Sequence, residues 1–214
     1  MSSDLLLNPR FFGARVPRVE DQRLLTGSGR YVDDLDCPDA LHAAFLRSPY
    51  AHARIQKIDL TGCLEAGAVA AFKNEDMGPA GDNFPLQMPH PAIKGVNWAP
   101  LAKGKTRFYG EPVAVVVAPS RAEAEDALEG AIVEYEVLPA SCHPVDALKE
   151  DAPLVQDELG SNLAGHLETH IGDPNKALAA SPQVEEFELH TQRGAAGAME
   201  CRSILANYDQ QFDR

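Results

Sequence analysis

Cysteine is scarce in this 214-residue chain: Cys37, Cys63, Cys142 and Cys201 stand far apart, with no C-x-x-C pair beside a histidine. That spacing indicates neither a disulfide scaffold nor a zinc site, and buried free thiols are the expected state. Basic residues are also few, 19 Lys and Arg against 32 Asp and Glu, which gives a net charge of −13. No basic run exists to neutralise a phosphate backbone or an anionic lipid surface, so nucleic acid and membrane partners are not expected. Long apolar runs are missing as well. Nothing approaches the roughly 20 residues of a membrane span, and residues 1–9 lack the basic start and apolar middle of a signal peptide, so a cytoplasmic location is expected. Finally, there is no Ser-His-Asp or Cys-His pattern, and the carboxylates are spread over polar stretches rather than gathered beside apolar ones.

What is present is a core. With 44% apolar residues, the chain can bury one substantial domain or two small ones. The run from Phe108 to Pro139 holds a strand, a helix and a second strand. Residues 113–118 are all apolar, with valine at 113, 115, 116 and 117, the pattern of a strand covered on both faces. Pro119 ends it. Ser120 and Glu123 form an S-x-x-E capping box, and Ala124, Ala127, Leu128 and Ala131 follow at helical spacing. From Ile132 the period becomes two, with Val133, Tyr135 and Val137 alternating against Glu134 and Glu136.

The rest of the chain reads around that centre. Residues 1–13 form an arm whose Leu5, Leu6, Leu7, Phe11 and Phe12 need something to dock on. Gly27 and Gly29 predict a turn before a short strand at Tyr31 and Val32; no helix or Lys follows to make the turn a phosphate cradle. Residues 41–47 and 51–59 predict an antiparallel pair, Thr61 caps a short helix ended by Gly67, and 68–72 is a further buried strand. Residues 75–105, punctuated by Gly and Pro, predict a long loop packed through Phe84, Met88, Ile93 and Trp98. Residues 141–172 have little periodicity and read as a surface linker, 176–180 as one helical turn, and 183–190 and 199–208 as strands. The last residues look like a turn opening into an unpaired strand, an edge ready to pair with another polypeptide.

Among the seven histidines, His52 beside a strand without an acidic or Cys partner reads as structural. His90, between Pro89 and Pro91, has no support for a catalytic role. His166 and His170 share helical spacing around Glu168, but Gly165 and Gly172 nearby favour a polar linker over a metal site.

Five stretches in register carry a resemblance: RVEDQRLLTGSGRYVDDL from Arg18, LRSPYAHARIQKIDL from Leu46, LAKGKTRFYGEPVAVVVA from Leu101, AEDALEGAIVEYEVLP from Ala124, and AMECRSILANYD from Ala198. The chain resembles the N-terminal part of the molybdenum-binding large subunit of the xanthine dehydrogenase, aldehyde oxidase and aerobic carbon monoxide dehydrogenase family. The resemblance implies an α+β fold: an arm at 1–17, an α/β-hammerhead domain at 18–140, a linker at 141–182, and the truncated start of a molybdopterin-binding domain at 183–214. It implies molybdenum-molybdopterin in the complete enzyme, held mainly by residues absent from this chain. FAD and iron-sulfur clusters would sit on partner subunits in a hetero-oligomer.

No catalytic, cofactor-binding or metal-ligating residue is assigned. Glu200 and Arg202 match the family's M-E-x-R stretch and are expected only to shape the entrance of the following domain. Two functions remain in view. One is a non-catalytic portion or split subunit of a molybdenum hydroxylase, contributing subunit contacts and substrate-channel walls. The other is a stand-alone protein-interaction module that uses the 75–105 loop and the strand carrying Val184 and Phe187.

Overall fold

The computed structural model describes residues 13–14, 16–35, 37–85, 90–95, 98–192, 194–195 and 197–212. The arm at 1–12 and Met88 lie outside them. The chain divides into two compact units, one of Asp39–Glu185 and one of Met1–Pro38 with Glu186–Arg214.

In the second of these, α1 (Asp21–Leu25) ends in a Schellman cap: Gly27 at φ +73 turns the chain. The Ser28 N–H then donates to Arg23 O at 2.7 Å and the Gly27 N–H to Leu24 O at 3.4 Å. Gly27 therefore closes the carboxyl end of a helix. The short strand expected at Tyr31 and Val32 is a 3-10 turn, Val32–Asp34, because the Asp34 carboxylate accepts the Tyr31 N–H at 2.9 Å and bends the backbone. Residues 183–190 and 199–208 alternate in sequence, yet no strand forms there among the described residues. Phe187, Leu189 and Ile204 are exposed. A strand exists only through a neighbouring ladder of backbone hydrogen bonds, and the described residues provide none for these segments.

The Asp39–Glu185 unit mixes helix and sheet. Its centre is the valine run, here β5 (Pro112–Ala118), flanked on both sides by antiparallel neighbours: β1 (His42–Arg47) and β3 (Ala70–Lys73). The register places Phe45, Val115 and Phe72 in one row, and Ala43, Val117 and Ala70 in the next. On the other face, Val116 packs with Cys63 and Ala127 inside a ring formed by Leu60, Ala68, Ala71, Leu128 and Ala131. Burying Val116 alone contributes roughly 1.5–3 kcal/mol.

That face is closed by α3 (Arg121–Ala127), whose fully buried Ala124 and Ala127 permit a close approach. Ser120 Oγ accepts the Glu123 N–H at 3.2 Å, as the capping box requires. The Glu123 carboxylate differs from expectation, because it accepts the Ser120 hydroxyl at 2.8 Å. A 3-10 turn, Leu128–Gly130, then meets α2 (Thr61–Glu65) backbone to backbone at Gly62 and Gly130. The capping role expected of Thr61 falls to Asp59, whose Oδ1 accepts the Thr61 N–H at 3.1 Å.

A second sheet has β2 (Ala53–Asp59) between β4 (Lys105–Thr106) and β6 (Ile132–Val137). The antiparallel pairing expected between 41–47 and 51–59 therefore does not form. Each segment has a distant partner, β1 on β5 and β2 on β6. The ladder of β1 slips at Leu46 and Arg47, where it meets Pro112, which has no N–H to give. Ser48 is then held by its N–H on Glu111 O and its carbonyl on the Gly110 N–H, both at 2.9 Å, as the chain leaves that sheet.

The 75–105 stretch begins in a 3-10 segment, Asn74–Gly81, kinked at Gly78. Its apolar residues pack less than expected: Ile93 is half-buried, but Phe84 and Trp98 are 56% and 57% exposed. Burial falls instead on Ala99, Leu101 and Ala102, where the loop returns to the sheet. Beyond residue 139 the chain is more ordered than its weak periodicity suggests. It forms α4 (Pro144–Ala147) and a 3-10 turn at Asp157–Leu159. Asn162 ties these together, donating to Ala147 O at 2.9 Å and Pro153 O at 3.0 Å and accepting the Val155 N–H at 2.9 Å. The final helix, α5 (Pro174–Ala180), is N-capped by Asp173. No helix among the described residues is long and apolar enough to cross a membrane.

Candidate functional site

The densest group of buried polar side chains lies where β4 meets the chain around residue 156. Lys105 and Thr106 are successive residues of β4 and point to opposite sides of it, yet both are buried. The Lys105 ammonium reaches Asp157 Oδ2 at 2.8 Å. That hydrogen bond is the main cause holding the Asp157 carboxyl below the usual carboxylate range. Thr106 donates its hydroxyl to Ala53 O at 3.3 Å. Arg107 donates from Nε to Gln156 Oε1 at 3.2 Å and from Nη1 to Lys105 O at 2.9 Å. Two neighbouring cations on β4 and after it thus grip two neighbouring residues of the later segment.

Glu111, 4% exposed, accepts the Arg107 N–H and closes the turn that carries Phe108, Tyr109 and Gly110. Burial pushes its carboxyl above the usual range, more than the Arg107 N–H and guanidinium pull it down. An acid with a raised pKa in the fold binds its proton more tightly there than in the unfolded chain. Its contribution is therefore complete below the ordinary carboxylate pKa and is lost as pH rises through the raised value. Glu111→Gln keeps an oxygen for the Arg107 N–H and removes the titration. Relative to the wild type, the variant should gain unfolding free energy as pH rises from about 4 to 8. Urea unfolding at a series of pH values measures this, and parallel curves for the two proteins would count against it.

His52 belongs to the same neighbourhood. It is buried, and its Nδ1 lies 2.6 Å from Pro139 O, which fixes the donor tautomer at that nitrogen. Its own carbonyl accepts the Leu138 N–H at 2.9 Å, so the residue pins the end of β6. Its Nε2 has no hydrogen-bond partner among the described residues. The structural reading of His52 is the one the geometry supports. Tyr50 and Tyr135 meet edge to face beside it, with centroids 5.3 Å apart.

The remaining residues singled out by sequence fall apart as a site. His90 accepts the Ala92 N–H at 3.1 Å within its own turn. His166 and His170 lie on an irregular stretch rather than a helix, both exposed, 3.2 and 3.5 Å from the two oxygens of Glu168. Among the described residues, no three His, Cys, Asp or Glu side chains gather where a metal ion could sit. All four thiols are free, but only Cys63 is buried; Cys37, Cys142 and Cys201 lie at the surface, which corrects the expectation of buried thiols. None of the three lies in a helix or strand of the described structure that could turn it inward. Glu200 Oε1 accepts the Val32 N–H at 2.9 Å, and Arg202 is exposed. Sequence reading missed Lys105, Glu111 and Asn74, each a buried polar residue whose partner is distant along the chain or gives no local signal.

This arrangement fastens strands and loops; it brings no nucleophile, base or metal ligand set to a common point among the described residues. Residues 26–139 match the family model described as "Aldehyde oxidase and xanthine dehydrogenase, a/b hammerhead domain". The chain is 36% identical to the nicotine 6-hydroxylase large subunit of Paenarthrobacter nicotinovorans over 94% of its own length and 25% of that protein's. Its fold is similar to that of quinoline 2-oxidoreductase from Pseudomonas putida 86, with a TM-score of 0.69 and 39% identity, over 78% of this chain and 21% of that one. It is also similar to the Cu,Mo-CO dehydrogenase, with a TM-score of 0.59 and 36% identity, over 72% of this chain and 19% of that one. The chain spans about a quarter or less of the length of these relatives.

Proposed function

The chain belongs to the aldehyde oxidase and xanthine dehydrogenase family through its hammerhead domain, and on that premise we propose that it is the hammerhead portion of a molybdenum hydroxylase large subunit. Its role there is architectural: it provides contacts between parts of the enzyme and walls for the substrate channel. The match over 26–139, in a fold that superposes on quinoline 2-oxidoreductase, is the observation that carries this reading.

A molybdenum-pterin group supplies the oxidation chemistry in such an enzyme. The described residues do not fit it: they include no gathered set of metal-ligating side chains, and the buried polar groups at Lys105, Thr106 and Glu111 are engaged with protein partners. No reaction step is therefore assigned to this chain. The group belongs with the remaining molybdopterin-binding polypeptide, and FAD and iron-sulfur clusters with further subunits, in a cytoplasmic hetero-oligomer. The domain limits that go with this reading are an arm at 1–17, the hammerhead at 18–140, a connecting segment at 141–182 and the opening of the molybdopterin-binding domain from 183.

The test is a chimera in which this chain's residues 26–139 replace the matching segment of the Cu,Mo-CO dehydrogenase chain. We expect the chimera to accumulate in soluble form and to retain molybdenum, measured by metal analysis of the purified protein. A chimera that is insoluble, or soluble without metal while the unmodified host carries it, would overturn the reading.

A further inference from the structure

The sheet β1-β5-β3 has one face closed by α3 and the ring around Cys63, and another that is only partly open: Val115 and Val117 are half-buried there, and the Arg47 guanidinium carbon lies 5.9 Å from the centre of the Phe45 ring. On that face the register sets Phe45, Val115 and Phe72 in one row and Ala43, Val117 and Ala70 in the next. Phe45 and Phe72 are 46% and 38% exposed, and none of the six positions carries a polar side chain. An antiparallel sheet with one face in water alternates apolar with polar residues along each strand. β5 does not alternate at all: its sequence, PVAVVVA, is that of a strand covered twice.

We propose that this face is the seat of the remaining large-subunit polypeptide, and that an apolar segment of it packs across Phe45, Val115 and Phe72. The inference rests on the reading that the chain is part of such a subunit. Two observations select this occupant. The relatives carry at least three times as much polypeptide as this chain matches, so a covering partner of the same subunit exists in them. The composition of the face also separates a permanent contact from a transient one. Surfaces between proteins that part and meet again are about as polar as any other surface, whereas obligate contacts resemble a core cut in half. Six apolar positions in register are of the second kind.

The experiment uses the isolated full chain and the chimera together. Phe72→Cys in the isolated chain should react readily with a maleimide, located by peptide mass mapping with exposed Cys37, which both proteins carry, as the internal standard. In the chimera its reaction should slow by about tenfold or more. The double variant Phe45→Glu with Phe72→Glu should leave the circular dichroism of the isolated chain unchanged, since both rings are already half in water. In the chimera it should cut soluble protein by about tenfold. If the double variant accumulates like the unmodified chimera, or the thiol introduced at position 72 labels equally in both settings, this inference falls while the proposed function stands. If the unmodified chimera itself fails, both fall. A dimer of the isolated chain, seen by light scattering and abolished by Phe72→Glu, would assign the face to a second copy and overturn the proposed occupant.

Discussion

Replacing Gly130 by alanine is expected to lower the unfolding free energy by about 3 kcal/mol, at the upper end of overpacking effects. A Cβ at position 130 would fall against the Gly62 carbonyl and 2.7 Å from Cys63 N, and one at position 62 would fall against Gly130 O. These are backbone atoms at the start of α2, so no side chain can swing aside. Relief requires α2 to move away from the turn after α3. Because Cys63 packs on Val116 and Ala127, that movement opens the central cluster. Gly62→Ala should act in the same direction, and Gly194→Ala, with nothing within 4 Å, should change stability by less than about 0.5 kcal/mol. Urea unfolding followed by circular dichroism measures all three. A Gly130→Ala protein with a wild-type midpoint would mean that the two backbones do not meet as described.

Asn74 carries the second large effect. It is 3% exposed, and its amide donates to Gly81 O at 2.8 Å and to Leu101 O at 3.1 Å. One side chain thereby joins the start of the long loop to its return. Asn74→Ala strands both carbonyls in a buried setting and should cost about 2–4 kcal/mol. Asn74→Asp should be no better, because a carboxylate has no N–H to donate and sets its charge against two carbonyl oxygens. Limited proteolysis gives an independent measure: cleavage between residues 82 and 100 should accelerate in both variants before any change in the sheets. Equal cleavage rates in wild type and variants would show that the loop is held by something else.

The contrast between these residues and the valine run shows which features could be read in advance. β5, α3 and β6 were legible because their signals are local: six apolar residues in a row, Ser120 three residues before Glu123, and an alternation of valine and tyrosine against glutamate. Pairing was not legible in the same way. β1 and β2 are neighbours in sequence and both look like strands, but β1 pairs with β5 and β2 with β4 and β6, all distant along the chain, and loop closure over such lengths leaves no mark on either segment. Likewise, nothing near Gly62 announces Gly130, and nothing near Lys105 announces Asp157. The alternation at 183–190 failed for the converse reason: period two permits a strand, but only a neighbouring ladder makes one. The candidate site followed suit, since its members were separated residues that the fold, rather than a motif, brings together.

Cys63 turns the closeness of two glycines into something that can be watched. Its sulfur is sealed, and burial raises the thiol above its ordinary ionisation range, which suppresses the reactive thiolate. Reagents therefore meet Cys37, Cys142 and Cys201 first, and the fourth thiol answers only in molecules whose α2 has parted from Gly130. The chain carries its own clock for that opening, one that counts rare excursions without an added label.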